Sequence, residues 1–393
     1  MSQHRSVQPL RPPVSGGWHE GDPAAFRHFA DLGPLRLENG RTLPGVRLAY
    51  ETWGSLDEGG TNAVLVLHAL TGDAHVTGEG GPDVPGQPTP GWWSEIVGPG
   101  RIIDTTTHYV VAANVLGGCQ GSTGPSSPAP DGRPWGSRFP IVSTRDQVAA
   151  EVRLADYLGI DRFSLVIGAS MGGHRALEWA VGHPSRVERV AVVASGAQTT
   201  ADQAAWAHTQ VRAIELDPNW RGGDYHDGPE GPARGLALAR QIAHTTYRSP
   251  LELDTRFGRL PQHEEDVLRG GRLAVESYLD HHGDKLVRRF DAGSYWTLCH
   301  AMLTHDVGRD RGGVREALKR VTARTLVVAV DSDRLFFPSD VWQVAEGVEG
   351  AYYREIHSDH GHDGFLIESD RMSSILDEFL NQRIPAVPSV FAD

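Results

Sequence analysis

The stretch Phe163-Ser164-Leu165-Val166-Ile167-Gly168-Ala169-Ser170-Met171-Gly172-Gly173 decides the reading of this chain. An apolar run of strand formers leads straight into Gly-x-Ser-x-Gly, and helix formers follow from about His174. A serine that stands exposed on a sharp strand-to-helix turn needs neighbours without bulk, and glycine at 168 and 172 supplies them. The backbone N–H of Met171, at the start of the helix, would then point at a developing oxyanion. In a chain with 46 glycines the five-residue pattern is weak by itself. Its strand and helix flanks turn it into a strong nucleophile-elbow signal.

Working outward, apolar strand-like runs recur at residues 46–50, 63–67, 109–113, 187–194 and 325–330. The runs are continuous rather than alternating, which predicts strands covered on both faces. Residues 146–158 and 174–181 have helical composition, and the second ends at Gly182 with Pro184 beyond. Alternating β and α segments of this kind predict an α/β fold, a mostly parallel sheet flanked by helices. Between 197 and 320 the strand signal stops and helix formers dominate, as in Gly235-Leu236-Ala237-Leu238-Ala239-Arg240. The expectation is a sheet core over 35–196 and 321–385, with a helical lid inserted at 197–320. Residues 1–22, rich in Pro, Gly, Ser and His, are expected to form a loosely ordered tail.

Composition narrows the function classes. A chain of 393 residues with 39% hydrophobic content can bury a sizeable core. The formal net charge is −13 with no long basic run, which argues against nucleic acid as a partner. Two cysteines, Cys119 and Cys299, provide neither a disulfide framework nor a Cys-rich metal site. No apolar run approaches the roughly 18 residues of a membrane span, and the first residues carry no apolar segment of the signal-peptide kind. A cytoplasmic protein with no membrane partner is expected.

A serine hydroxyl needs an adjacent base, itself oriented by a carboxylate. When the serine sits on a strand-to-helix elbow, those partners follow in the order acid, then histidine. Asp331 and Asp333 follow the strand-like run ending at 330, where parallel sheets place their sites. His357, His360 and His362 come next. Spacing alone leaves the choice within each set open. Histidine and aspartate are also zinc ligands, but a serine elbow leaves a metal nothing to do, so none is expected.

Several further runs carry a resemblance. They are His68-Ala69-Leu70-Thr71-Gly72-Asp73, Asn114-Val115-Leu116-Gly117-Gly118-Cys119-Gln120-Gly121, the elbow itself, Tyr278-Leu279-Asp280 through Asp291-Ala292, Ser332-Asp333-Arg334-Leu335 and Gly361-His362-Asp363-Gly364-Phe365-Leu366. Through them the chain resembles the homoserine O-acetyltransferase family, acyltransferases of methionine biosynthesis with an α/β-hydrolase fold. The resemblance implies Ser170 as nucleophile, Asp333 as acid and His362 as base. It also implies an oxyanion hole from the backbone N–H groups of Leu70 and Met171. Arg240 would hold the carboxylate of the amino-acid substrate and Asp363 its ammonium group, a pairing that suits both charges. L-homoserine would be the acceptor and acetyl-CoA the co-substrate, with no permanently bound cofactor. The protein would be a homodimer joined through the insertion.

Succinyl-using relatives resemble one another in an Arg two residues after the catalytic Asp. Leu335 stands there in this chain, which favours acetyl. The alternatives within reach of the same triad are an O-succinyltransferase, a serine O-acyltransferase, and an esterase that passes the acyl group to water. Gly117, Gly118, Gly121 and Gly124 read as shaping a tight loop near the pocket, and Cys119 as a small buried thiol.

Overall fold

Every residue of Ala63–Leu67 and of Leu165–Ala169 is buried, because both runs become central strands of a sheet with helices on each face. The computed structural model describes residues 12–381 apart from Pro82. Its main sheet contains β1 (His28–Asp31), β2 (Arg47–Trp53), β3 (Ala63–Leu67), β4 (Tyr109–Ala113), β5 (Leu165–Ala169), β6 (Arg189–Val193), β7 (Arg324–Val330) and β8 (Tyr352–Ile356). Their spatial order is β1-β2-β4-β3-β5-β6-β7-β8. β2 runs antiparallel to both of its neighbours, and every pairing from β4 onward is parallel. This is the α/β-hydrolase architecture.

Between β4 and β6 the chain forms α1 (Thr144–Tyr157) and α2 (Met171–Gly182). Ser143 opens α1 with a reciprocal cap: its hydroxyl accepts from the Asp146 amide, and the Asp146 carboxylate accepts from the Ser143 amide. From β6 to β7 come α3 (Ala201–Glu215), α4 (Ala233–Tyr247), α5 (Pro250–Phe257), α6 (Ala274–Val287), α7 (Ala292–Leu303) and α8 (Val314–Leu318). The main sheet takes no strand from this helical insertion. α9 (Pro338–Gly347) and α10 (Ser369–Leu380) complete the flanks of the sheet.

Alternate residues of each central strand enter different cores, as period-2 geometry requires. Leu65, Leu67 and Val166 pack with Leu154, Leu177 and Trp179 of α1 and α2. Val64, Val66 and Ile167 pack on the other face with Ile375 and Phe379 of α10. A third core joins the insertion to the strand ends, with Leu70 and Met171 against Val211, Leu236, Leu286 and Leu298.

Two strands escape a reading by hydrophobic runs. β1 is only His-Phe-Ala-Asp, and β8 is a half-exposed edge. The elbow helix begins at Met171, three residues before the predicted start, because Ser170 is itself the N-cap. At the other end of the chain, residues 1–11 of the expected tail and 382–385 of the expected core lie outside the described residues. Residues 14–18 are docked rather than loose. The Gly16 amide donates to the Phe290 carbonyl at 3.2 Å, and the Trp18 amide to that of Cys119 at 2.8 Å. No helix of the described residues is long and apolar enough to cross a membrane.

The elbow is closed by contact rather than by charge. A Cβ at Gly168 would lie 2.1 Å from the Gly172 carbonyl oxygen, and one at Gly172 would lie 2.1 Å from that of Leu67. Gly172→Ala is therefore expected to lower unfolding free energy by more than about 2 kcal/mol. Gly45→Ala, where the added methyl meets nothing within 4 Å, should fall within about 0.5 kcal/mol of the parent. Urea denaturation of the two variants checks the contrast.

Candidate active site

Ser170 adopts φ 56° and ψ −124°, a conformation that an L-residue holds only when its surroundings over-determine it. They do so here. The Ser170 amide donates to the Val193 carbonyl at 2.9 Å, and the Ser195 hydroxyl donates to the Ser170 carbonyl at 2.9 Å. The hydroxyl is thereby aimed at His362, whose Nε2 lies 2.8 Å from the Ser170 Oγ. His362 Nδ1 lies 2.7 Å from Asp333 Oδ2. The other carboxylate oxygen of Asp333 accepts from the amides of Leu335 and Phe336, at 2.8 and 2.9 Å. Phe336 also stacks on the His362 ring. All three functional side chains are buried.

The structure thus separates residues that spacing could not. Asp333 and His362 come together with Ser170, while Asp331 pairs with the exposed His357 at 3.0 Å. His360 instead faces Glu252 at 3.5 Å. Burial alone would push the His362 pKa down. The Asp333 carboxylate, by charge and hydrogen bond, outweighs it and raises the value above that of ordinary imidazole. Among the described residues no group of three or more His, Cys, Asp or Glu side chains is placed to hold a metal ion.

Met171 is the first residue of α2, so its amide has no acceptor within the helix and is free for a ligand. Leu70 lies on the loop after β3, and that loop is clamped from several sides. Arg175, one turn into α2, donates to the His68 carbonyl at 2.5 Å and pairs with Glu151 of α1. The His68 ring takes the Val115 amide at 3.1 Å and meets the Ala69 carbonyl at 2.7 Å. Arg289 donates to the Thr71 carbonyl at 2.8 Å. The loop therefore arrives at the elbow in a fixed shape.

Arg240 and Asp363 line one cleft of about 270 Å³, together with Thr71, Asp73, Trp92, His244, Arg248, Lys285 and Arg289. Arg240 lies over the Tyr247 ring and donates to the Thr71 hydroxyl at 3.3 Å. Asp363 is not a bare carboxylate: Arg248 pairs with it at 3.2 Å while also binding Glu252. Burial pushes the Asp363 pKa up, and the attraction of Arg248, His362 and Arg240 only partly offsets it. A second hollow of about 30 Å³ lies between Leu70, Trp206, Tyr247, Leu335 and Phe336, and none of its described lining residues is Arg or Lys.

Sequence reasoning did not find Arg175, Arg248 or Arg289. Arg248 and Asp363 meet only because α4 packs against the His362 loop, and no local spacing signals that contact. The loop of Gly117, Gly121 and Gly124 does not line the cleft. Gly121 packs so tightly that a Cβ there would meet Ala49 and Phe29 of the antiparallel edge.

The α/β-hydrolase fold family matches residues 62–368. A homoserine O-acetyltransferase of Thermobifida fusca is 58% identical over 382 residues, covering 96% of this chain and 100% of the relative. One from Clavibacter michiganensis is 56% identical, covering 94% and 96%. Among solved structures, the homoserine O-acetyltransferase of Bacillus anthracis superposes with a TM-score of 0.82 at 27% identity, over 92% of this chain and 99% of its own. An esterase, E22, gives the same TM-score at 25% identity, over 90% and 99%.

A base must be neutral to accept a proton, so the raised His362 pKa places the acid limb of activity above the ordinary imidazole value of about 6.5. Asp333→Asn removes the charge that raises it. The limb should move to lower pH, and turnover of an activated ester should fall by about 10⁴. A pH–rate profile of the parent and the variant measures both effects.

Proposed function

This chain belongs to the homoserine O-acetyltransferase family, and from that membership we propose a two-step acetyl transfer on Ser170. In the first step the Ser170 oxygen attacks the thioester carbonyl of acetyl-CoA while His362 takes its proton. The tetrahedral oxyanion is held by the N–H groups of Leu70 and Met171. Collapse breaks the C–S bond, His362 returns the proton to sulfur, and coenzyme A leaves an acetyl-Ser170 ester. In the second step the hydroxyl of L-homoserine gives its proton to His362 and attacks that ester. The second collapse returns the proton to Ser170 and releases O-acetyl-L-homoserine. Asp333 holds the imidazole in the productive tautomer and stabilises its cation.

The observation that carries the amino-acid acceptor is a cation and a carboxylate in the cleft beside the base. Arg240 offers a planar fork to the substrate carboxylate. Asp363, the residue next to His362, offers a counter-charge to its ammonium. Such an address pre-positions an alcohol, which is how transfer wins over hydrolysis. The small hollow beside Leu335 suits a methyl group and offers a succinyl carboxylate no cation, which supports acetyl as the acyl group. The chemistry needs no resident cofactor. We further propose a cytoplasmic homodimer joined through the insertion, where Leu251, Leu260 and Leu268 stand exposed.

Esterase E22 has the same overall architecture, so hydrolysis on the same triad is the second reading. A thiol-release assay with acetyl-CoA, run with L-homoserine, with L-serine and without acceptor, separates the two. Release that requires homoserine and yields O-acetylhomoserine is expected; equally fast release without acceptor would replace transfer by hydrolysis.

Two variants test the assignment of roles. Ser170→Ala should release no thiol above background, and intact-protein mass spectrometry should find no acetylated species in it. Asp363→Asn should raise the KM for homoserine by about tenfold, with a smaller loss in acylation by acetyl-CoA.

A further inference from the structure

A neutral imidazole has one N–H and one lone pair, so a ring with an acceptor on each nitrogen must carry two protons and a positive charge. His75 is such a ring. Its Nδ1 lies 2.8 Å from a Glu51 carboxylate oxygen, and its Nε2 lies 3.0 Å from the Glu79 carbonyl. Only 2% of the His75 side chain and 3% of the Glu51 side chain are exposed. The charged groups that face the ring are Glu51, from β2, and Asp73, from its own loop. Phe26, stacked on it at 5.3 Å from just before β1, is neutral. Burial by itself pushes the His75 pKa down, but the two carboxylates and the Glu79 carbonyl outweigh it and raise the value. His68, seven residues earlier, shows the opposite arrangement. Its Nε2 accepts from the Val115 amide, so that ring is neutral, and burial holds its pKa down at about 3.

The charged ring stands behind one wall of the cleft, the wall formed by Asp73, Thr89, Pro90 and Trp92. Its backbone ties that wall together. The His75 amide donates to the Asp73 carboxylate at 2.9 Å, and the Trp92 amide donates to the His75 carbonyl at 3.2 Å. The Trp92 indole N–H donates to the Asp73 carbonyl at 3.0 Å, and the Gly91 amide to that of Gly78 at 3.1 Å. Glu51 belongs to β2, so the ring anchors segments 73–79 and 89–92 to the sheet.

We infer that His75 is a positioning residue for the amino-acid acceptor: as a buried imidazolium it joins Glu51 to the Glu79 carbonyl and fixes the wall that carries Asp73 and Trp92. The inference rests on the acceptor reading given above. Loss of the second proton sets a nitrogen lone pair against an oxygen and frees that wall. The tie is therefore complete below the pKa of His75 and is lost as pH rises through it. Acceptor binding then has an alkaline limit, separate from the acid limit that protonated His362 sets on the chemistry.

The test follows KM for L-homoserine and for acetyl-CoA against pH, in the full-length parent and in Glu51→Gln. The variant keeps an oxygen acceptor for Nδ1 and removes its charge. In the parent the homoserine KM should rise about fivefold on the alkaline side, while the acetyl-CoA KM stays within about twofold. In Glu51→Gln that rise should begin at least about one pH unit lower. The ammonium group of homoserine titrates identically in both, so the displacement between the two profiles reports His75. Homoserine profiles that coincide, or that differ by one constant factor at every pH, would overturn the inference. Neutron diffraction of the parent at about pH 7 supplies a check that depends on no variant. A deuterium on each nitrogen of His75 is expected, and a single one would overturn the charge. A parent that transfers no acetyl group to L-homoserine would instead overturn the acceptor reading beneath it.

Discussion

A guanidinium with no exposed surface sets the geometry on which the site depends. Arg175 is wholly buried, with one arm on the His68 carbonyl and the other on Glu151. Glu151 is held in turn by the Trp179 indole N–H at 2.9 Å. The two amides proposed as the oxyanion hole come from different places: Leu70 from the loop after β3, Met171 from the start of α2. Arg175 sits on α2 and grips the loop, so it fixes one amide relative to the other. Leaving either charge of such a pair unpartnered in the interior costs about 3–5 kcal/mol. The arrangement therefore stays rigid as the oxyanion forms.

Around that fixed centre the molecule divides its labour. The sheet and its flanking helices supply the elbow, the acid and the base, which is machinery common to many reactions. The insertion supplies identity. Arg240 comes from the middle of α4 and Arg248 from the residue after that helix, and Lys285 and Arg289 from the end of α6 and just beyond. α4 and α6 also pack against each other. Asp363 apart, the charges that would choose a substrate thus belong to one helical pair lying over the strand ends. Changing that pair would alter what the triad meets without altering the triad.

Much of this could be read along the chain. The central strands are legible because both of their faces are buried, which writes them as unbroken apolar runs. The elbow is legible because its sterics admit only glycine at 168 and 172. β1 and β8 are not, since a four-residue strand and a half-exposed edge leave no run. Choosing Asp333 over Asp331 needs three dimensions. Asp333 turns inward because the amides of Leu335 and Phe336 grip it, whereas Asp331, two residues earlier, reaches the surface. Arg248 is illegible for a different reason. Its partner Asp363 lies far along the chain, and only the packing of α4 against the His362 loop joins them.

With Asp363 as the proposed ammonium site, the Arg248–Asp363 pair would make this cleft an ion exchanger. A vacant carboxylate would draw any small cation from solution and would have to shed water each time. Asp363 already has a resident counter-ion, one that Glu252 is ready to keep. An incoming ammonium would swap with that guanidinium rather than with solvent, so the carboxylate would never be left bare beside the imidazole of His362. Water and plain alcohols carry no charge to trade. Nothing they bring would open that lock.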